Sequence, residues 1–189
     1  MRPFHVYTAE GIVLKRKSVG EADRILTVFT RQFGKIRIIA KGVRRITSRR
    51  SGHVEVFSHV VLTIHTHKSL DILTEAQAKS RGTVFESDVG RLGYAYCMCE
   101  LVDQLLPDRQ EHEDVFFLLR DGLLSLESSN NQSEWQHLIS RFVHDLLRPL
   151  GFLSSTHTLR ESEIQSYIED ITERKFRTWP LLTVLGRQA

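Results

Sequence analysis

The sequence predicts an α+β protein with a small β-barrel in its N-terminal part and helices in the remainder. The chain has 189 residues, enough for two small domains. Apolar residues alternate or form short β-branched runs up to residue 81, and afterwards recur every three or four residues. The charge changes at the same place: residues 1–81 contain 16 Lys and Arg against 6 Asp and Glu, and residues 82–189 contain 10 against 17. We therefore predict two domains, 1–81 and 82–189.

Five strands are predicted in residues 1–81. They are, in order, Ala9–Ser18, Arg24–Arg31, Lys35–Lys41, Val54–His65 and a fifth strand that ends near Lys79. Simple alternation puts Val13 and Lys15 on the same face of the first strand. Gly34 marks a tight turn between the second and third strands, because glycine takes a positive φ without steric cost. Five short strands of this kind are typical of a small closed or nearly closed barrel.

Four helices are predicted in residues 82–189, each with an apolar stripe at helical spacing. The stripes are Phe85, Val89, Leu92, Tyr96 and Cys99; Phe116, Leu119, Leu123 and Leu126; Trp135, Leu138, Phe142 and Leu146; and Ile164, Ile168 and Ile171. Capping boxes are predicted at the start of the third helix, from Ser133 and Gln136, and of the fourth, from Thr158 and Glu161.

Composition excludes several classes of protein. No apolar run reaches the roughly 18–20 residues that a membrane span needs, and the first residues do not resemble a secretory signal. The two cysteines, Cys97 and Cys99, cannot form a disulfide framework or complete a zinc ribbon alone. His65 and His67 share a strand face, but no carboxylate or thiol completes a metal-ligand set. We therefore expect a cytoplasmic protein without a cofactor.

The strongest functional signal is a basic run without acids. Residues 24–54 contain nine Lys and Arg and no Asp or Glu. Alternation places the basic residues of the third strand on one face, opposite Ile36, Ile38 and Ala40, and an arginine-rich loop follows. Such a surface attracts a phosphate backbone and releases condensed counterions, whatever the base sequence. The predicted DNA contacts are Lys35, Arg37, Lys41, Arg44 and Arg45, followed by Arg24, Arg49 and Arg50.

Other interpretations remain open on the residues alone. Phe29 and Phe57 suit base stacking or the barrel core equally well. An RNA-binding protein would have the same basic barrel. A metal-dependent nuclease would need acids from distant segments, for instance Glu21, Asp23 and Asp71. The sequence contains no phosphate-binding GxxxxGK[ST] loop and no nucleophile with an evident base partner, so we predict no enzymatic activity.

Spaced motifs in residues 11–57 resemble the N-terminal barrel of the RecO family. They are Gly11-Ile12-Val13-Leu14, Gly20-Glu21-Ala22-Asp23-Arg24, Phe29-Thr30, Gly34-Lys35-Ile36, Ala40-Lys41-Gly42-Val43-Arg44-Arg45, Ser48-Arg49 and Gly52 to Phe57. More loosely, Arg141-Phe142, Leu146-Leu147 and Leu150-Gly151-Phe152 resemble the helix that precedes a zinc ribbon in many members. The resemblance implies an OB-fold barrel followed by a helical domain.

The resemblance also implies a function, that of a bacterial, nucleoid-associated DNA repair and recombination mediator. Members bind single- and double-stranded DNA, anneal strands coated by single-stranded-DNA-binding protein, and assist RecR in loading RecA. They also contact the acidic, apolar C-terminal tail of single-stranded-DNA-binding protein, for which Arg141 and Phe142 are the candidate residues. Many members carry a four-cysteine zinc site after the Leu-Gly-Phe segment. Here residues 153–157 contain no cysteine, so we expect no zinc site. Only 37 residues follow Phe152, so we also expect a shortened C-terminal region.

Overall fold

The structure is a computed structural model that describes residues 6–46, 48, 50–129, 131–179 and 182. The strands of the described part are β1 (Val6–Val19), β2 (Asp23–Thr30), β3 (Gly34–Ala40), β4 (His59–His65) and β5 (Asp71–Ser80). The helices are α1 (Val89–Leu105), α2 (Glu113–Ser128), α3 (Gln132–Leu147) and α4 (Glu161–Thr172). Short 3-10 turns lie at Ser51–His53 and Gly82–Ser87. The α+β class, with strands preceding helices, is confirmed.

The strands close into a barrel in the order β1-β2-β3-β5-β4. Neighbouring strands pair antiparallel, except that β3 and β5 pair in parallel over two residues of each strand. Period-two alternation directs one set of apolar side chains into the barrel, where water is excluded. The interior set contains the predicted residues Ile36, Ile38, Ala40, Val60, Leu62 and Ile64, all of them buried.

Two strand predictions were wrong in detail. β4 begins at His59 rather than Val54, because Phe57 has a φ of 68° and interrupts the extended backbone. The Phe57 N–H donates to the Val13 carbonyl at 2.8 Å, which holds this bend against β1. In β1, a bulge at Leu14 shifts the pairing with β2 between Val13 and Lys15. Val13 therefore lies in the barrel core while Lys15 is exposed, although alternation had put them on the same face.

The chain divides into two compact units. The barrel unit consists of residues 1–84 and 106–116, and the helical unit consists of residues 85–105 and 117–189. We call residues 106–116 the edge segment. β5 pairs with β3 only at Ile38 and Ile39, so β5 does not cover the edge of β3 along the first half of this strand. The edge segment occupies it: Lys35 forms a parallel bridge with Asp108, and its carbonyl accepts the Arg109 N–H at 2.9 Å.

The apolar stripe of α2 is confirmed, since Phe116, Leu119, Leu123 and Leu126 are buried. The stripes of α3 and α4 are largely confirmed as well, with only Leu138 and Ile171 half-buried. The first stripe was wrong in part: Phe85 and Cys99 are buried, but Val89 and Tyr96 are exposed while Tyr94, Met98 and Leu101 are buried. The observed N-caps are Asn131, which accepts the Glu134 N–H at 2.9 Å, and Arg160, whose N–H is accepted by Glu163 at 2.8 Å. No described helix is both long and apolar enough to cross a membrane.

Candidate nucleic-acid interface

The outer surface of β1, β2 and β3 is basic near the β1–β2 turn. Lys15 pairs with Thr27 and Thr27 with Arg37, so one row runs across the three strands. The next row runs from Lys17 through two half-buried isoleucines of β2 and β3. Side chains in paired positions lie on the same side of a sheet, with strands about 4.8 Å apart. We call the surface formed by exposed Lys15, Lys17 and Arg37 the basic face.

The loop after β3 adds three exposed cations beside the basic face. Its first residues are tied to the β1–β2 turn: the Gly42 N–H donates to the Asp23 carboxylate at 2.7 Å, and the Arg44 N–H donates to the Ala22 carbonyl at 2.9 Å. Val43 is buried in the barrel core and anchors the loop from beneath. Asp23 therefore caps this turn. The three exposed side chains are Lys41, Arg44 and Arg45, of which Arg44 also donates from Nη1 to the Gly20 carbonyl at 3.2 Å while it stays exposed.

Arg24 is less available to bind a DNA phosphate than the sequence predicts, because it pairs with a carboxylate of the protein. Its Nη1 lies 3.0 Å from a Glu55 carboxylate oxygen, and Arg16 contacts the other oxygen of the same carboxylate. Burial lowers the pKa of Arg24, and the positive charges of Arg16 and Arg44 add to the effect. These three arginines thus form a cluster that is only partly neutralised by one carboxylate.

Two further predicted DNA-binding residues are already engaged within the protein. Lys35 is 8% exposed, and its Nζ lies 3.5 Å from the carboxylate of Asp108 in the edge segment. The Arg50 guanidinium donates to the carbonyls of Lys41 at 2.8 Å and Leu73 at 2.7 Å, which fastens the loop to β5. Lys35 and Arg50 are therefore not part of the exposed cationic surface. Arg49 lies outside the described residues.

The edge segment covers the outer surface near the β2–β3 turn, and its carboxylates pair with basic residues there. Glu113 accepts a hydrogen bond from Arg31 at 2.6 Å. Phe116 packs against Phe29, with ring centroids 6.2 Å apart, and both rings are buried. Phe57 is also buried, so neither phenylalanine considered for base stacking offers a ring to solvent. Six exposed cations consequently remain on the basic face and in the loop that adjoins the β1–β2 turn.

Lys15 and Lys17 are the residues that sequence reasoning missed. The run Lys15-Arg16-Lys17 was visible, but the expected alternation grouped Lys15 with a core valine. The bulge at Leu14 changes the face on which the following residues lie, so Lys15 and Lys17 share the outer surface with Arg37. A basic tripeptide at the end of an apolar strand was the available signal.

Two of the three acids considered for a metal-dependent nuclease, Asp23 and Asp71, are engaged by other partners. Asp23 caps the loop, and Asp71 accepts hydrogen bonds from the Tyr7 hydroxyl at 2.8 Å and the His67 N–H at 3.1 Å. Burial acts to raise the pKa of Asp71, but these bonds and the neighbouring Arg109 hold it below its usual value. Within the described ranges, no three His, Cys, Asp or Glu side chains are grouped to hold a metal ion.

Arg141 and Phe142 both line a cavity of about 410 Å³ between α2 and α3. The Arg141 side chain is 85% exposed, and its Nε lies 3.4 Å from the carboxylate of Asp145. Phe142 is only 3% exposed and belongs to the apolar floor. Asp121 and Glu134 add two more carboxylates to the lining. Acidic groups thus outnumber the single arginine, which is unfavourable for an acidic peptide.

A closed five-stranded barrel in this strand order, with a basic outer face, defines a protein of the OB-fold class. Two family profiles match the chain: Recombination protein O N terminal over residues 1–81, and Recombination protein O C terminal over residues 86–157. The chain belongs to the RecO family.

Curated relatives agree with this assignment. The chain is similar to the DNA repair protein RecO of Roseiflexus sp., with 36% identity over 123 residues, which is 65% of this chain and 43% of the relative. It is 34% identical over 150 residues to the Symbiobacterium thermophilum protein of the same name, covering 79% and 58% of the two chains. The Heliobacterium modesticaldum protein is 39% identical over 142 residues, covering 75% and 47%. The chain spans about half the length of these relatives.

Proposed function

We propose that this chain binds DNA through the basic face and the adjoining loop, and acts as a DNA repair and recombination mediator. The observation that carries this proposal is the grouping of six exposed cations on the basic face and in the loop that follows β3. They are Lys15, Lys17, Arg37, Lys41, Arg44 and Arg45. The relatives' name, DNA repair protein RecO, favours DNA over RNA as the ligand.

Phosphate neutralisation supplies the affinity in this proposal. Lys and Arg displace condensed counterions from any strand, so binding is insensitive to base sequence and extends to single- and double-stranded DNA. No helix from the barrel unit is placed to enter a major groove within the described ranges, because its regular structure there is almost entirely strand.

Strand annealing follows from the same electrostatics. Two complementary strands repel each other through their phosphates, and a cationic surface that holds both lowers this repulsion. We propose annealing of strands coated by single-stranded-DNA-binding protein, and assistance to RecR in loading RecA, as the wider role. The composition of the cavity beside Arg141 gives little support to that site as an anchor for the acidic tail of single-stranded-DNA-binding protein.

Salt titration of the double variant Arg44→Ala/Arg45→Ala tests the binding surface. We expect weaker binding to all DNA sequences, and a slope of log affinity against log salt that is flatter by about 0.7–0.9 for each phosphate that is no longer neutralised. Fluorescence polarisation of labelled oligonucleotides measures both quantities. The matched control is Arg141→Ala/Arg148→Ala, which removes two exposed arginines from the helical unit and should leave the slope unchanged. Equal slopes in both double variants would contradict the proposal, as would a weakening confined to one sequence.

The annealing role has its own test. Complementary strands coated with single-stranded-DNA-binding protein should anneal faster with the wild-type chain than without it, and the Arg44→Ala/Arg45→Ala variant should lose most of this acceleration. Fluorescence quenching between labelled strands follows the reaction, and parallel samples contain RecR. An unchanged annealing rate with the wild-type chain would refute the annealing role while leaving DNA binding intact.

A further inference from the structure

The loop after β3 exposes an apolar side chain in the middle of its cations. Ile46 has a relative exposure of 105%, whereas Val89, the next most exposed large apolar residue of the described chain, reaches 69%. It directly follows Arg44 and Arg45, both exposed. An isoleucine in water gains nothing from the burial that stabilises a core residue. What distinguishes Ile46 from other exposed apolar residues is its place directly beside two exposed arginines.

Hydrogen bonds on both sides of Ile46 hold its backbone in a defined turn. The Ser48 N–H donates to the Arg45 carbonyl at 2.9 Å, which closes a turn around Ile46. The Arg45 N–H donates to the Gly42 carbonyl at 3.1 Å, and the Ser51 hydroxyl donates to the Ser48 carbonyl at 3.0 Å. The loop thus presents Ile46 on the surface beside Arg44 and Arg45.

We propose that Ile46 contacts the bases of single-stranded nucleic acid while the neighbouring arginines bind its phosphates; this inference rests on the proposed function. The kind of ligand that this loop would bind follows from its charge and polarity together. Arg44 and Arg45 select a polyanion, and an apolar tip beside them gains free energy only if that polyanion offers apolar surface within a few ångströms of its charges. Unpaired bases do so, since their faces are uncovered, whereas stacked bases in a duplex must first be separated.

The interaction is therefore expected to favour single strands over duplex without reading sequence. Every base has an apolar face, so its identity matters little. The contribution of Ile46 is also independent of salt, because no counterion is released when an uncharged side chain is buried. These two properties separate its role from that of the surrounding arginines.

The test compares Ile46→Ser with the wild-type chain on two probes, an oligothymidylate of about 15 nucleotides and an abasic phosphodiester of equal length. We expect the wild type to bind the oligothymidylate about fivefold more tightly than the abasic probe, and Ile46→Ser to lose this preference while keeping the same salt slope. Ile46→Phe should retain the preference. Val89→Ser, which removes an exposed apolar residue from the helical unit, is the matched control and should behave as wild type. Circular dichroism should show unchanged folding, since Ile46 is fully exposed.

Each other outcome has a definite meaning. If wild type and Ile46→Ser bind both probes equally, the base interaction is refuted and phosphate binding by the barrel stands. If no chain binds either probe, the proposed function itself fails. If Ile46→Ser loses binding to phosphatidylglycerol vesicles but keeps its preference for the base-bearing probe, the exposed isoleucine serves an anionic lipid surface and the inference is overturned.

Discussion

Arg37 and Lys35 lie two positions apart on β3, and their side chains have opposite surroundings. Arg37 is exposed in the row that begins with Lys15, and has no ion-pair partner among the described residues. Lys35 is buried beside Asp108. A phosphate can reach the first without displacing any protein group, whereas it must displace the edge segment to reach the second. Position in the sequence alone does not separate them.

These two residues form a matched pair for measurement. Arg37→Ala should weaken binding to single-stranded DNA and flatten its salt slope by about 0.7, with the thermal midpoint unchanged, because an exposed cation is removed without disturbing the packing. Lys35→Ala should leave the slope unchanged and reduce the free energy of unfolding by about 1 kcal/mol, because the buried stem of the lysine is removed from the packing. Salt titrations and thermal unfolding of both variants check this. A flatter slope in Lys35→Ala would show that the lysine reaches phosphate after all.

At the scale of elements, the edge segment and the β2–β3 turn depend on each other. Gly34 has a φ of 62°, and a Cβ at this position would lie 1.9 Å from the carbonyl oxygen of Gln110. Gly20, in the β1–β2 turn, has a similar φ of 57°, but nothing lies within 4 Å of its would-be Cβ. Gly34 is therefore required both by its own backbone and by the close passage of the edge segment.

Alanine substitution at the two glycines separates these requirements. Gly20→Ala should cost about 1–2 kcal/mol of unfolding free energy, since only the left-handed backbone is penalised. Gly34→Ala should cost more, by at least about 1 kcal/mol, because the edge segment must also move. Urea unfolding followed by circular dichroism measures the difference. Equal decreases in stability would mean that the edge segment adjusts without cost.

At the scale of the whole molecule, the division of charge does not follow the order of the sequence. Residues 1–81 have a net charge of +10 and residues 82–189 of −7. Yet the edge segment, which has four acids and one arginine, belongs to the barrel unit. Its acids pair with Lys35 and Arg31, and its Arg109 lies 3.3 Å from Asp71. The edge segment thus supplies carboxylates that neutralise two of the barrel's basic residues.

A rearranged chain tests whether the edge segment is part of the barrel domain. Two polypeptides are compared. One ends at residue 84, and in the other a flexible Gly-Ser linker with the length of residues 85–105 joins residues 1–84 to residues 106–116. The polypeptide that ends at residue 84 should be the less stable of the two. The reason is that Phe29 loses its cover and Asp71 its arginine in the shorter chain. Thermal unfolding and binding of a hydrophobic dye compare the two. Identical thermal midpoints would mean that the edge segment does not stabilise the barrel, which would support the predicted domain boundary at residue 81.

Much of this architecture could be predicted because its causes are local. Alternation in β3 correctly separated Ile36 and Ile38 from Arg37, and the arginine-rich stretch after it was recognised as an exposed loop. Both follow from the period of a strand and from the cost of burying charge, which neighbours in the sequence largely determine. The apolar stripe of α2 followed in the same way from helical spacing.

The residues alone predict a small basic barrel followed by acidic helices, and they identify four of the six cations of the proposed surface. Which of the predicted cations face solvent depends on the fold. Lys35 is covered by a segment that comes much later in the chain, Arg24 pairs with Glu55 from the segment that precedes β4, and a single bulge turns Lys15 outward. These outcomes depend on contacts between distant residues, which periodicity and composition do not encode, because both describe only the immediate neighbours of each position.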